Sequence, residues 1–341
     1  MRKIIAAVLA VIIIVVAAML LWPAGSANTL IVYSGLDYGP AVARAFTEKT
    51  GIKVKLIRLS TGALLARISA QGHHPDWTLA WFDGATAAVS LDHAGLLAHH
   101  LPEPADLTPL GQSMVPANGA YVPTGCTLAG VFIMPRNASF APPVNWSDLT
   151  QPIYHGLIGM NDPSISGPTY PALAGMLKSA GGWPQGKDFI TALKADGLHI
   201  YAKNDATLAA LRSGAIQIAI VQSSAALHYA QTIDHSLTVI IPHPAYVLPN
   251  VMVMAPGLTA KRSTEAKLFI AFANSQAAQA IRTHQNDGDA YYWPIITGAA
   301  PRAGMPPLAS LDLATLNAQR WGAAQNNITA WFAKRIIGSG S

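Results

Sequence analysis

The 341-residue chain has a single cysteine, Cys126, so neither a disulfide framework nor a thiolate metal site is available to it. Only 11% of its residues are charged, and no more than 17 of them are acidic. The sequence contains no Gly-x-Ser-x-Gly elbow, no P-loop, no His-Glu-x-x-His pair and no obvious pair of carboxylates for acid–base work. An enzyme is therefore not expected, and neither are a cofactor and a metal site.

Basic residues are few and scattered along the chain, which carries a formal net charge of +5. A nucleic-acid partner requires a basic cluster or stripe, and the sequence has none. Two adjacent histidine pairs, His73-His74 and His99-His100, lack a third ligand at a fixed spacing, so they do not predict a metal centre either.

The first 27 residues have the pattern of a targeting segment. Arg2 and Lys3 precede an apolar run over residues 4–22, and small residues follow as far as Ala27. This order predicts a secretory signal peptide that is cut after Ala27. The run is also nearly long enough to span a bilayer, so an uncleaved N-terminal anchor is the alternative. In both cases we expect the remaining residues to lie outside the cytoplasm.

Strands and helices alternate in the first third of the chain, which predicts a parallel sheet built from right-handed crossovers. The predicted strands are 30–33, 52–59 and 79–82, and the predicted helices are 40–50, 63–71 and 85–94. Small polar residues follow each strand directly. In sheets of this kind, ligands bind at the edge where the strands end.

A second α/β lobe is predicted from strands at 128–134, 156–160, 199–201 and 216–221, with helices between them. About 310 residues also exceed what one hydrophobic core usually serves. We therefore predict a two-lobed clamp, hinged by crossing segments at 121–130 and 242–249. The predicted bounds are 29–125 with 246–305 for lobe 1, 126–245 for lobe 2, 306–337 for a C-terminal helical segment and 338–341 for a flexible tail.

The segment 156–169 is the most informative one. A short apolar strand breaks at Asn161, hydroxyls and a glycine follow, and a helix is predicted over 171–180. Hydroxyls and free N–H groups at a helix N-terminus form a cradle for an oxyanion. The alternative is that Ser164, Ser166 and Thr169 only cap the helix.

Several stretches resemble one family of known proteins. The opening "LIVYSGLDYGPAVARAFTEKTGIKVKLIRLSTGALLARISAQGHHPDWTLAW" looks like the first lobe of bacterial periplasmic solute-binding proteins. "NWSDLTQPIYHGLIGMNDPSISGPTYPALAGML" and "STEAKLFIAFANSQAAQAIRTHQ" with "YYWPI" are similar to later parts of the branch that includes ferric-ion, 2-aminoethylphosphonate and thiamine receptors. The resemblance implies a type II fold, a monomer, and delivery of a ligand to an ABC permease.

The resemblance says less about the ligand. Ferric receptors in this branch place two adjacent tyrosines after the strand that matches 216–221, where this chain has Gln222-Ser223-Ser224. These side chains do not replace the charge of tyrosinate, so ferric iron is disfavoured. The only acidic candidate near the first strand is Asp37, and no Arg or Lys is placed at a predicted strand end.

The expected cleft is lined mainly by neutral donors, which suits a phosphonate, phosphate ester or carboxylate. Asp83 is expected either to pair with a ligand amine, as in an aminophosphonate, or only to cap the next helix. The alternative ligand is neutral or apolar and stacks on Tyr33, Tyr38, Trp81, Phe82 and Tyr170, unless these rings are ordinary core residues. The predicted ligand-binding residues are Ser34, Gly35, Tyr38, Thr61, Gly62, Asp83, Gly84, Ser164, Ser166, Gly167, Thr169, Gln222, Ser223 and Ser224.

Overall fold

The computed structural model describes residues 29–338. The predicted leader over 1–27 and nearly all of the predicted tail lie outside this range. Within residues 29–338, none of the helices combines the length and the apolar character needed to cross a membrane.

The first sheet contains the three parallel strands that the sequence predicts. They are β1 (Thr29–Ser34), β2 (Lys53–Arg58) and β3 (Leu79–Asp83), and each is followed by a helix: α1 (Gly39–Thr50), α2 (Thr61–Gln71) and α3 (Ala85–His93). Their strand ends therefore meet at one edge of the sheet. The sheet is completed by β4 (Val122–Leu128), β10 (Ala245–Met254) and the short β11 (Leu313–Ala314), in the order β11-β10-β3-β1-β2 with β4 also paired to β10.

The second sheet has the order β7-β6-β8-β5-β9. Its strands are β5 (Val131–Pro135), β6 (Ile158–Asn161), β7 (His199–Tyr201), β8 (Ile218–Val221) and β9 (Leu237–Ile240). Strands β6, β7 and β8 run parallel, while β5 is antiparallel to β8 and β9. The helices that accompany this sheet are α5 (Thr169–Ser179), α6 (Lys187–Ala195), α7 (Asn204–Arg212) and α8 (Ser223–His228). We use lobe 1 and lobe 2 for the first and second sheets with their helices.

The single strand predicted over 128–134 is wrong, because the chain changes sheets at Ala129 and Gly130. Strand β4 ends in the first sheet and β5 begins in the second. A Cβ atom on Gly130 would lie 3.0 Å from the indole of Trp146, so the chain passes close to this ring where it crosses. The other crossing leads from β9 to β10, and the two strands next to the crossings, β4 and β10, pair antiparallel in the first sheet. The residue bounds given above for the lobes remain a prediction.

The remaining helices are α4 (Pro109–Ser113), α9 (Ala260–Ala273), α10 (Gln276–Thr283) and α11 (Ala318–Phe332). Short 3-10 helices span Trp146–Thr150, Pro152–Tyr154, Gly288–Ala290 and Leu308–Ser310, and π-helical turns span Tyr229–Ile233 and Ala333–Ile337. In the C-terminal helical segment predicted over 306–337, the long helix begins only at Ala318. The side chain of Asn317 accepts a hydrogen bond from the N–H of Arg320 and caps it, and β11 precedes it.

Helix α11 contacts both lobes. Trp321, Ile328 and Phe332 pack into the core of lobe 2. On the opposite side, a Cβ atom on Gly322 would lie 2.7 Å from the carbonyl oxygen of Thr86 in α3, so only glycine permits this approach to lobe 1. The C-terminal helix therefore closes one side of the space between the lobes.

Candidate functional site

A cavity of about 600 Å³ lies between the lobes, where strands of the first sheet end and helices of lobe 2 begin. We call this cavity the cleft. Its walls are Gly35, Asp37, Arg58, Leu59, Ser60, Thr61, Asp83 and Asp289 from lobe 1 and Ile165, Ser166, Gly167, Pro168, Lys203, Asn204, Asp205 and Gln222 from lobe 2. The volume falls within the range of small-molecule sites.

The predicted ligand-binding residues divide into three groups. Those that line the cleft are Gly35, Thr61, Asp83, Ser166, Gly167 and Gln222. Those that line a neighbouring cavity of about 210 Å³ are Gly62, Gly84 and Ser164, and this cavity shares Asp83 and Gly167 with the cleft. Those that line neither are Ser34, Tyr38, Thr169, Ser223 and Ser224, all of them buried.

The buried members of the third group hold the surrounding backbone. Ser34 Oγ accepts a hydrogen bond from the N–H of Leu36 and donates to its carbonyl, which forms the turn after β1. Ser223 Oγ accepts from the N–H of Leu128 at 2.9 Å and ties α8 to the end of β4. Their hydroxyls thus serve the turn and the crossing strand.

The segment before α5 satisfies most of its own hydrogen bonds. Ser164 Oγ donates to Asp162 Oδ1 at 2.6 Å, and Ser166 Oγ accepts from Asn161 Nδ2 at 3.3 Å. The N–H of Ser166 donates to the carbonyl of Asp162, and that of Thr169 to the carbonyl of Ser166. The capping alternative is wrong, because α5 has no side-chain cap. The cradle also offers a ligand fewer donors than its sequence suggests.

Two glycines of the predicted set allow the lobes to touch. A Cβ atom on Gly167 would lie 2.3 Å from Thr61 Cβ, and one on Gly62 would lie 2.6 Å from the carbonyl oxygen of Ile165. Real Cβ atoms do not approach other heavy atoms so closely, so both positions require glycine in this arrangement. The lobes are therefore closed on each other beside the cleft.

Asp83 connects the lobes from the end of β3. It is 4% exposed, and its carboxylate accepts hydrogen bonds from Asn250 Nδ2 and, at 3.2 Å, from Gln222 Nε2 of lobe 2. Gln222 Nε2 also donates to Thr127 Oγ1 at 2.9 Å. Burial raises the pKa of Asp83 from 3.8 to about 6, although both amides act in the opposite direction. The helix-cap alternative for Asp83 is wrong, because Gly84 is the N-cap of α3 and has no side-chain bond.

A second acid, Asp289, faces the same cleft and was missed in the sequence. Its Oδ2 accepts a hydrogen bond from the N–H of Asp37 at 2.6 Å. Burial, followed by the nearby negative charge of Asp83, raises the pKa of Asp289 well above its ordinary value. The only sequence signal was the acidic pair in Asp287-Gly288-Asp289, far from any predicted strand end.

Two basic residues also line the cleft, and the expectation that none stands at a strand end is wrong. Arg58 is the last residue of β2, which ends one position earlier than predicted, and its guanidinium pairs with Asp37. Lys203 precedes α7 and lies 3.5 Å from a carboxylate oxygen of Asp205. Both side chains are more than half exposed. The cleft is therefore rich in charges of both signs rather than lined by neutral donors.

Beneath these acids lies a fully buried arginine, Arg282 of α10. Its guanidinium donates to Tyr38 Oη at 2.7 Å and to the carbonyl of Thr124 at 2.5 Å. The guanidinium carbon lies 4.0 Å from the ring centroid of Tyr292 and 4.4 Å from that of Tyr38. Its positive charge lowers the pKa of Asp83 and of Asp289, which partly offsets the effect of burial on both acids.

The aromatic residues considered for stacking are core residues in this structure. Tyr33, Trp81 and Phe82 are 0% exposed and Tyr170 is 1% exposed. None of the four lines the cleft. This placement favours charged and polar groups as the recognition surface.

Within residues 29–338 no group of three or more His, Cys, Asp or Glu side chains is arranged to hold a metal ion. Tyr292 is buried, and its hydroxyl donates to Gln279 Oε1 at 2.7 Å. His99 pairs with Asp92, and neither residue lines the cleft. The adjacent serines after Gln222, Ser223 and Ser224, are buried.

Comparison with known proteins gives one family and many solved structures. A model of the family described as bacterial extracellular solute-binding protein matches residues 41–310. No curated protein matches the chain. Similar structures include iron-bound HitA from Pseudomonas aeruginosa, which is 22% identical with a TM-score of 0.73 over 89% of this chain and 98% of that chain.

Two further structures have similar shapes. The periplasmic binding protein AfuA from Actinobacillus pleuropneumoniae, with fructose-6-phosphate bound, is 18% identical with a TM-score of 0.78 over 92% of this chain and 99% of that one. The ferric binding protein from Campylobacter jejuni is 16% identical with a TM-score of 0.76 over 90% and 99% of the two chains. At these identities the likeness shows the fold alone.

Proposed function

The chain belongs to the family of bacterial extracellular solute-binding proteins, and we propose that it is the receptor of an ABC importer for a small zwitterion, with aminophosphonates as the favoured class. It has the two-lobed type II periplasmic binding protein fold. We infer that it acts as a monomer in the periplasm and delivers its ligand to an inner-membrane permease. We further propose that residues 1–27 are a signal peptide that is removed, because a receptor has to diffuse to its permease. The alternative is that these residues are retained as a membrane anchor.

The observation that carries the proposal is the charge arrangement of the cleft. Asp83 and Asp289 are close enough for one charge to raise the pKa of the other, and both lose hydration on folding. Arg282 compensates the two buried charges only in part, so a ligand ammonium group between the two carboxylates would stabilise them further. This supports an amine on the ligand.

The opposite charge of the ligand has its own partners. Arg58 and Lys203 line the same cleft from lobe 1 and lobe 2, and both side chains are more than half exposed beside their partners Asp37 and Asp205. Guanidinium and ammonium groups form strong charge-assisted hydrogen bonds to phosphonate oxygens. A molecule with an amine at one end and an oxyanion at the other satisfies both sets of residues, whereas a simple oxyanion adds no positive charge beside the two acids.

Capture would proceed by closure of the lobes. The hydrogen bond from Gln222 to Asp83 and the contacts of Gly62 and Gly167 form only when the lobes meet. A ligand that contacts Arg58 on one side and Lys203 on the other adds interactions to the closed state alone. Its differential affinity for that state shifts the equilibrium toward closure.

Ferric iron is the second candidate, since two of the similar structures are named as iron-bound or ferric-binding proteins. A hard cation would use Asp83 and Asp289. The cleft lacks a tyrosinate, however, because Tyr292 is engaged with Gln279 and is not part of its wall. We therefore rank iron below an organic zwitterion.

The test is isothermal titration with four probes: 2-aminoethylphosphonate, ethylphosphonate, ethanolamine and ferric citrate. We expect the zwitterion to bind at least about tenfold more tightly than either single-charge analogue, which corresponds to about 1.4 kcal/mol. Equal affinity for ethylphosphonate would contradict the role of the acids. Binding of ferric citrate alone would establish the second candidate. A control is Glu103→Gln, which removes an exposed carboxylate away from the cleft and should leave all four affinities unchanged.

A further inference from the structure

A second cavity of similar size, about 590 Å³, shares no wall residue with the cleft. We call it the hinge cavity, because residues 247–249 of the crossing strand β10 form part of its wall. The other walls come from residues 84–86 at the start of α3, the segment 113–118 with Tyr121, residues 315–319 at the start of α11, and Pro171 and Lys178 of α5. It is therefore bounded by both lobes and by the C-terminal segment.

Several hydrogen-bonding groups at this cavity have no partner within the described part of the chain. Tyr121 is 6% exposed and no hydrogen bond of its hydroxyl to residues 29–338 is present. Thr86 is 4% exposed, and its Oγ1 is buried and unpaired. Nearly all buried polar side chains in proteins have a partner, so unpaired hydroxyls beside a cavity indicate a ligand.

Helix α3 adds donors at the same place. It starts at Ala85 after Gly84, which provides no side-chain cap; the N–H of Ala87 donates to the carbonyl of Gly84, and those of Ala85 and Thr86 have no partner inside the helix. The carboxylate of Asp83 does not compensate them, because it accepts from Asn250 and Gln222 and does not line this cavity. An uncapped helix N-terminus favours a negatively charged group.

The charge of the wall agrees with this. Lys178 is the only charged residue that lines the hinge cavity, and none of its wall residues is acidic. Its ammonium group donates to the carbonyl of Thr315 at 2.9 Å and retains two further N–H donors. Apolar side chains, Met114, Val115, Val247, Leu248 and Leu316, complete the wall. The hinge cavity thus has the opposite electrostatic character to the acidic cleft.

We propose that the hinge cavity is a second binding site, for a small organic anion with an oxyanion head group and an apolar body. The head group accepts hydrogen bonds from the N–H groups at the start of α3, the hydroxyl of Tyr121 and the ammonium group of Lys178. The apolar body lies against the side chains of β10 and of residues 315–319. This site is separate from the zwitterion site in the cleft and does not depend on it.

The experiment uses the full chain and 4-bromophenyl phosphate, with affinity measured by isothermal titration and position measured by bromine anomalous diffraction from a soaked crystal. We expect a bromine peak in the hinge cavity. We also expect Tyr121→Phe and Lys178→Met each to weaken binding at least fivefold. Both substitutions keep the apolar part of the side chain, and melting curves of the two variants establish that they are folded.

The matched control is Lys187→Met. Lys178 lies over the ring of Tyr246, 5.6 Å from its centroid, and Lys187 lies over that of Trp183 at 4.3 Å. Lys187 is not part of either cavity wall. It should leave the affinity unchanged. A bromine peak in the cleft, equal loss in the control variant, or no binding at millimolar probe would each overturn the proposal. Bromobenzene, which lacks the phosphate group, should bind at least tenfold more weakly than 4-bromophenyl phosphate. Equal affinity of the two probes would contradict the binding of an oxyanion head group.

Discussion

Replacing Asp83 by asparagine should make the unliganded protein more stable while weakening its ligand binding. The carboxyl is 4% exposed, and burial raises its pKa from 3.8 to about 6. The amide that replaces it has no charge to desolvate. It also offers a donor to Asn250 Oδ1, which is buried without a partner and can receive it after rotation of that amide.

The magnitude follows from linkage between protonation and folding. A pKa raised from 3.8 to about 6 corresponds to about 3 kcal/mol of lost stability at neutral pH. The unfolded carboxyl releases its proton near pH 3.8 and the folded one near pH 6, so the penalty grows between these values and is constant above them. Asp83→Asn should therefore stabilise the protein by about 1–3 kcal/mol at pH 8, and by little near pH 4.

The assay is urea denaturation at pH 4, 6 and 8 of wild type, Asp83→Asn and the control Glu103→Gln. The control carries the same change in charge at an exposed position. The difference between Asp83→Asn and wild type should appear between pH 4 and 6 and persist at pH 8. The reasoning is refuted if the variant is no more stable than wild type at pH 8, or if the control shows the same pH dependence.

Three further predictions concern binding and the buried charges. Gly167→Val should weaken binding of 2-aminoethylphosphonate more than tenfold in titration calorimetry, because its Cβ would overlap Thr61, and adding Thr61→Gly should restore most of the affinity. That affinity should also fall about tenfold per pH unit below pH 6, as Asp83 takes up its proton, and a flat profile from pH 5 to 7.5 would remove Asp83 from the contact. Arg282→Met should destabilise the protein by about 3 kcal/mol in urea denaturation, since two acids lose their buried counter-charge. Asp83→Asn should stabilise the Arg282→Met variant by more than it stabilises wild type, and an equal gain in both backgrounds would contradict the coupling.

The sequence by itself determined most of the secondary structure and the class of fold. Strand–helix alternation over residues 29–93 predicted three parallel strands within one residue of their observed bounds. Local rules suffice there because apolar runs, glycine stops and helix periodicity are properties of short segments. The same rules failed at Ala129 and Gly130, where an uninterrupted apolar run passes from one sheet to the other. Because the residues before and after the crossing are all buried, the pattern of apolar residues does not change there and does not indicate it.

The sequence also predicted the position of the cleft. Parallel strands end at one edge of a sheet, whatever the orientation of the side chains at their ends. Gly35, Thr61 and Asp83 were found in this way, and they do line the cleft. The same reasoning also predicted Ser34 and Ser223 as ligand-binding residues, but their hydroxyls form hydrogen bonds with backbone groups of Leu36 and Leu128. A strand end predicts where a residue lies but not which way its side chain turns.

Only the tertiary structure decided the electrostatics of the cleft. Asp289 comes from a short 3-10 helix more than 200 residues after Asp83 in the chain, and the effect of Asp83 on the pKa of Asp289 exists only because folding brings both acids to the cleft. The buried Arg282 belongs to a helix whose sequence resembles any amphipathic surface helix. Coulomb interactions and loss of hydration depend on distance and burial, which no local pattern of residues encodes.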